Sequence, residues 1–340
     1  MSNNIMAINQ LPPIEELSID YIHDDLFICA LGFEDRCIAA PQILKKLNYN
    51  CKNVIMLQYD AHQTANNKNR KKLEKTLASL SGEIPIRSEY FFTNPLESEN
   101  KFIKAYRKSS EQSSISSVTV DISSFSCVAI IQILDLLFQQ KLKQIRIVYT
   151  EAKTYFPLKK DAKKRMPDDI YLSSGVKDTI ILPKFSGVFL PGYSTLLVIF
   201  LGFDPIRARG AINFFQPSKK IGIIGVPYRD DRKWRADEVE KRNLKMFDDV
   251  DERIRLSTFN YNETLLKLNE LYGEFSPTSN MAICPLGSKL QTLGVFLFAI
   301  GHPDVKLLFP IPIEFHPERY SKDYTKTWQI VFDNFMEDKK

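Results

Sequence analysis

An apolar run ending in Leu-Gly-Phe-acid, with an arginine close behind, is written twice in this chain, at 31–36 and at 201–207. Around the first copy, residues 26–60 run from Leu-Phe-Ile-Cys-Ala-Leu through a helix-like stretch to Val-Ile-Met-Leu-Gln-Tyr-Asp. Around the second, residues 196–230 run from Leu-Leu-Val-Ile-Phe-Leu through another to Ile-Gly-Ile-Ile-Gly-Val-Pro-Tyr-Arg-Asp. A repeat of this length constrains the fold more than any composition value, because each copy must build the same supersecondary unit.

The flanking pattern extends the match. Strands are expected at 26–31, 53–58, 86–92, 117–121 and 144–150, with helices at 36–48, 67–80, 98–109 and 126–140 between them. In the second half strands are expected near 195–201, 220–226, 253–259, 280–284 and 305–311. Helices there fall near 206–215, 235–248, 262–273 and 288–301. Continuous apolar strands alternating with amphipathic helices predict a mainly parallel sheet covered on both faces. The fold class is therefore α/β: two tandem Rossmann-like, doubly wound halves related by internal duplication. The expected division is 1–155 for the first half, 156–194 for a connector, and 195–340 for the second half with a C-terminal helical tail around 328–335. Within the connector, 159–169 reads as a basic surface loop and 179–192 as an extended segment able to form a hairpin. The first 20 residues read as an arm.

With 340 residues, 44% hydrophobic and 26% charged, the chain has the composition of an ordinary globular protein of two domains. The net charge of +5 admits an anionic small ligand. It leaves nucleic acid possible but not indicated, since no concentrated basic stripe is present. Five scattered cysteines (Cys29, Cys37, Cys51, Cys127, Cys284), with no CxxC pair and no signal peptide, fit a reducing, cytoplasmic setting. No apolar run reaches the roughly 20 residues of a membrane span. Four histidines (His23, His62, His302, His316) show no ligand spacing, so no metal site and no cofactor is expected. The absence of GxGxxG argues against NAD or FAD.

In a doubly wound sheet, ligands bind outside the carboxyl ends of the strands. Gly32 and Gly202 stand at that edge and let a ligand approach the backbone. Arg36 and Arg207 follow and could grip a phosphate, or simply pair with Glu34 and Asp204 at a helix start. The fourth strands end in Asp121-Ile-Ser123-Ser124 and in Cys284-Pro-Leu-Gly287-Ser288-Lys289. Each is a small, hydroxyl-rich turn entering a long helix, which suits anion binding as well as plain N-capping. Arg229 and Arg232, in an aromatic and cationic loop after the second strand, could clamp a nucleotide. Glu34, Asp121 and His62 are the candidates for acid–base chemistry. Glu151 and Tyr155, with Glu314 and Phe315 in the other half, could line the same crevices.

The turns at 120–124 and 281–289 resemble the ligand loops of CARF domains, the Rossmann-like sensors of prokaryotic CRISPR immunity. Two such units in one chain resemble the related SAVED domains. Gly287-Ser288-Lys289 is similar to the Gly-Thr-Lys or Gly-Ser-Lys turn of that family, whereas the first half keeps no lysine. The resemblance implies binding of a cyclic oligoadenylate, and hence a place in antiphage defence or signalling. The expectation is an anionic, nucleotide-like ligand held at the seam between the halves, in a sensor or accessory subunit. With no segment outside the halves large enough for an effector, output would pass through a protein partner or homo-oligomer. The alternatives are an enzyme acting on a nucleotide or phosphorylated metabolite, and a scaffold subunit with vestigial crevices.

Overall fold

The structure, a computed structural model, describes residues 11–18, 22–112, 114–164, 170–249 and 251–333. In chain order the elements begin β1 (Glu15–Glu16), β2 (His23–Leu31), α1 (Arg36–Lys46), β3 (Asn50–Tyr59), α2 (Gln63–Ser81) and β4 (Ile86–Tyr90). Next come α3 (Pro95–Gln112), β5 (Ser117–Asp121), α4 (Cys127–Phe138), β6 (Gln144–Tyr155), α5 (Lys159–Lys164), β7 (Ser173–Ser174) and β8 (Asp178–Ile181). Then follow β9 (Ser194–Leu201), α6 (Pro205–Phe215), β10 (Lys219–Val226), α7 (Trp234–Asn243), β11 (Glu252–Ser257), α8 (Tyr261–Phe275) and β12 (Ser279–Cys284). The chain ends with α9 (Lys289–Gly301), β13 (Lys306–Ile311), β14 (Glu314–Phe315) and β15 (Ser321–Asp333).

Two compact units result. Among the described residues, one comprises 11–156 together with 320–333; the other is 157–319. The first unit holds a sheet ordered β1-β15-β6-β5-β2-β3-β4, parallel from β6 to β4. The second holds β11-β10-β9-β12-β13-β8, parallel from β11 to β13. Taking the parallel strands of each unit in chain order, both sheets read third-second-first-fourth-fifth. This is the Rossmann order, with its topological switch between the first and fourth strands. Both sheets also carry an antiparallel strand outside the fifth, β15 in one and β8 in the other.

The central strands are buried on both faces, which is why they read as unbroken apolar runs. Leu26 to Leu31 and Leu196 to Phe200 are almost wholly buried. Phe27, Cys29 and Leu31 pack with Leu44, Leu73 and Leu77 of α1 and α2, and Leu197, Ile199 and Leu201 pack with Ala208, Ala211 and Val239 of α6 and α7. The helix α9 lies so close to α8 that a Cβ at Gly294 would stand 2.5 Å from the Tyr261 carbonyl oxygen and 2.8 Å from Cβ of Thr264. Gly294→Ala should therefore lower the unfolding free energy by about 2 kcal/mol in a urea titration, despite the better helix propensity of alanine.

Three expectations need correction. Of the segment around 328–335, where a helix was expected, 328–333 are strand, and 334–335 lie outside the described residues. β15 pairs along its length with β6, and Thr327, Gln329, Ile330 and Phe332 are buried there. It extends the first unit's sheet, so 321–333 belong to that unit and not to the second. Residues 159–164 form a short helix where a loop was expected; 165–169 lie outside the described residues. The stretch 179–192 forms no hairpin: β8 pairs with β13 and a single turn of 3-10 helix follows at Pro183–Phe185. Most of the expected arm (1–10 and 19–20) is outside the described residues.

Candidate functional site

In each unit the turn after the first strand meets the turn after the fourth, as the topological switch requires. A Cβ at Gly32 would stand 3.2 Å from Cβ of Ser124, and one at Gly202 would stand 3.9 Å from the Leu286 carbonyl oxygen. The sequence motifs singled out in each half are thus spatial neighbours.

In the first unit most of these residues bond to one another. Asp121, at the end of β5, is buried and accepts hydrogen bonds from the Ser123 amide at 3.0 Å and from the Ser123 hydroxyl. The Ser123 hydroxyl oxygen in turn accepts from the Thr150 amide at 2.8 Å, tying the turn to β6. Burial raises the Asp121 carboxyl to about 6, although the Ser123 bonds and the Arg36 charge pull it down. Arg36 is 5% exposed and makes two 2.8 Å bonds from Nη2 to the Glu34 carboxylate. Its Nη1 reaches the Thr150 carbonyl at 3.4 Å, and its guanidinium lies 5.7 Å from the Tyr155 ring centroid. Glu34 also accepts from the Ser321 hydroxyl of β15. Arg36 therefore serves a buried ion pair, the alternative that its spacing from Glu34 had left open. Phe125 is fully buried, and Ser126 caps α4 through the Ala129 amide at 3.1 Å.

The second unit keeps a more open rim. Asp204 caps α6 by accepting from the Ile206 amide at 2.9 Å, and it also accepts from the Ser173 hydroxyl at 2.6 Å. Arg207 donates twice to the Pro310 carbonyl, at 3.1 and 3.0 Å, and lies 6.0 Å from the Phe315 ring. It ties α6 to the end of β13. Ser288 begins α9 in a capping box: its oxygen accepts from the Gln291 amide at 3.1 Å, and Gln291 Oε1 accepts from the Ser288 amide at 2.9 Å. The Ser288 hydroxyl also donates to the Thr258 carbonyl, joining this turn to the end of β11. Lys289 is the first residue of α9. Arg229, in the loop after β10, pairs with Asp231 at 3.1 Å near the surface; Arg232 closes the 3-10 turn beside it.

Among the remaining candidates, His62 sits just before α2 with φ of +55° and meets the Phe33 ring edge-on at 6.2 Å. Glu151 is buried in β6, and Glu314 is exposed in β14. Among the described residues no cluster of His, Cys, Asp and Glu could hold a metal ion, none of the five cysteines is in a disulfide, and no helix is long and apolar enough to cross a membrane.

Sequence reading missed three features. Asn69 of α2 donates to the Gly32 carbonyl at 3.0 Å, and Asn243 of α7 donates to the Gly202 carbonyl at 3.0 Å. The same glycine is thus held by the same amide in both units, and the only signal was an asparagine lying on the inner face of the second helix. Gln291 is 2% exposed, and its Nε2 is buried with no hydrogen-bond partner among the described residues. Glycine at 287 leaves room for Gln291 Oε1, and a Cβ at Gly225 would stand 3.5 Å from the same oxygen. Finally, Tyr228 is 45% exposed and packs at 4.7 Å on Phe259, forming an aromatic platform at the ends of β10 and β11.

No family model matches the sequence, and no curated protein is similar to it. Among solved structures, the chain is similar to a type III CRISPR defence DNA nuclease activated by cyclic oligoadenylate, with a TM-score of 0.49 and 10% identity. The match covers 81% of this chain, which spans 64% of that nuclease. A universal stress protein from Archaeoglobus fulgidus matches with a TM-score of 0.23 and 7% identity, over 85% of this chain and 96% of that one. UDP-GlcNAc 2-epimerase from Neisseria meningitidis matches with a TM-score of 0.23 and 10% identity, over 77% of each chain.

Proposed function

We propose that this chain binds an anionic, nucleotide-like ligand at the carboxyl rim of its second unit, as a sensor or accessory subunit in antiphage defence or signalling. The observation that carries the reading is the Gln291 amide. A buried donor without a partner costs about 1–3 kcal/mol, and here it lies beneath a helix N-terminus framed by two glycines. A ligand oxygen would satisfy it. Lys289 and the positive end of α9 would meet phosphate, and Arg229 and Arg232 would close the cationic side. The Tyr228–Phe259 pair would stack a base, a contact worth about 1–3 kcal/mol. Gly202 would keep the approach open, and Gly287 makes room for the Gln291 amide. The first unit, with Arg36 and Asp121 committed to internal bonds, would support the fold around Gly32, Ser123 and Ser124. Duplication of one Rossmann-like unit, with the turn lysine kept in only one copy, would account for this asymmetry.

The test is calorimetric titration with a panel of mono-, di- and cyclic oligonucleotides, on the wild-type chain and on Lys289→Ala. The variant should bind the preferred ligand about tenfold more weakly, the loss of one charge-assisted contact. Its melting temperature without ligand should be nearly unchanged. A variant that binds as tightly as the wild type, or a wild-type chain that ignores every nucleotide, rejects the assignment.

A further inference from the structure

We infer that the first unit holds a separate binding site for a nucleobase that presents an amino group beside a ring nitrogen, in a polar cavity at the carboxyl ends of β2, β3 and β4. The cavity measures about 130 Å³ and is lined by residues that include Gln58, Asp60, Asn66, Arg70 and Phe91. Asn66 is 4% exposed. Its Nδ2 donates to the Ala61 carbonyl at 3.0 Å, which fixes the orientation of the amide and leaves Oδ1 buried with no partner among the described residues. Gln58 Nε2, at the end of β3, is likewise buried and unpartnered. Two residues that line the cavity therefore carry, between them, an unmet acceptor and an unmet donor.

Each such group costs about 1–3 kcal/mol when left unpaired, so a chain selected for stability alone would carry apolar residues here. A partner that donates to Asn66 and accepts from Gln58 removes both costs at once. The amino–imine edge of adenine or cytosine has that pattern. Asp60 stands at the end of the second parallel strand, where Rossmann-type sheets place the acid that receives ribose hydroxyls; one of its oxygens accepts from the Phe92 amide at 3.4 Å. Arg70 is held by Asn67 at 2.7 Å, and Phe91 supplies an apolar wall. The rival occupant is ordered water, which a polar cavity of this size also accommodates.

Nucleosides without phosphate decide between them. Titrated calorimetrically into the full chain at up to millimolar concentration, adenosine and cytidine should bind, whereas inosine and uridine, which lack the amino group, should not. Gln58→Leu should weaken adenosine binding at least tenfold while leaving the ligand-free melting temperature unchanged or higher, because it removes an unpaired buried donor. A purely structural glutamine would give the opposite, a fall in melting temperature. Gln58→Met serves the same comparison should the leucine variant fail to fold. Lys289→Ala should retain nucleoside binding, which separates this cavity from the rim of the second unit. Absence of any nucleoside binding, equal binding of inosine, or unchanged binding by Gln58→Leu would overturn the inference.

Discussion

Glu34→Gln should cost about 3–5 kcal/mol of unfolding free energy, because it strands the Arg36 charge inside the first unit. Burial opposes the charged guanidinium, but the charge and hydrogen bonds of the Glu34 carboxylate outweigh it and hold Arg36 above its ordinary value. The pair is well enclosed, at 6% side-chain exposure for Arg36 and 11% for Glu34, so solvent screens it little. Arg36 Nε has no hydrogen-bond partner among the described residues, so the guanidinium depends on Glu34 all the more. Glutamine keeps the shape and removes the charge. Urea titration of the single variant and of Glu34→Gln with Arg36→Met measures the effect. The double variant should recover more than half of the loss, since a neutral pair has no uncompensated ion. A single-variant loss below about 1 kcal/mol would show that the pair is solvated and that Arg36 is available to a ligand.

Asp121 should make the first unit less stable as pH rises from about 4 to 6. Its carboxyl lies near 3.8 in an unfolded chain and about 6 in the folded one, burial being the dominant cause. Between those values the folded state holds a proton that the unfolded state has released, so stability is full below about pH 4 and falls through pH 6. At 1.36 kcal/mol per pH unit the loss is about 3 kcal/mol. The Ser123 bonds and the Arg36 charge favour the ionised form, and without them the loss would be larger. Asp121→Asn is neutral throughout. The stability difference between variant and wild type, followed by urea unfolding from pH 4 to 7, should therefore grow in favour of the variant. A difference that stays constant would place Asp121 in contact with solvent, and one that grows the other way would show that the fold favours its ionised form.

The local pattern carried a great deal. Every expected parallel strand is present within a few residues of its expected position, because strands buried on both faces must be apolar throughout while the helices between them need only one apolar stripe. The turns at 32, 124, 202 and 287 were legible for a related reason. A chain leaving a sheet for a helix within a few residues requires small and capping side chains. The partners of those turns were not legible. Arg36 and Glu34 are two residues apart in sequence, yet what makes their pairing strong is the burial imposed by β6 and β15, which come from distant parts of the chain. Asn69 and Asn243 look like any helix asparagine until the helix packs back onto its own sheet.

The segment 321–333 shows the boundary most plainly. Thr-Trp-Gln-Ile-Val-Phe suits a helix or a strand by itself, and only the open edge of β6 decides the matter, since that edge has backbone donors and acceptors to satisfy. Composition and period by themselves determined the α/β layering, the paired motifs and the places where the chain turns from strand to helix. Which arginines are spent on the fold, which amides are left unpaired, and which unit 321–333 join were decided by tertiary structure. Those outcomes depend on burial and hydrogen-bond closure between residues far apart in sequence, and no local window contains both partners.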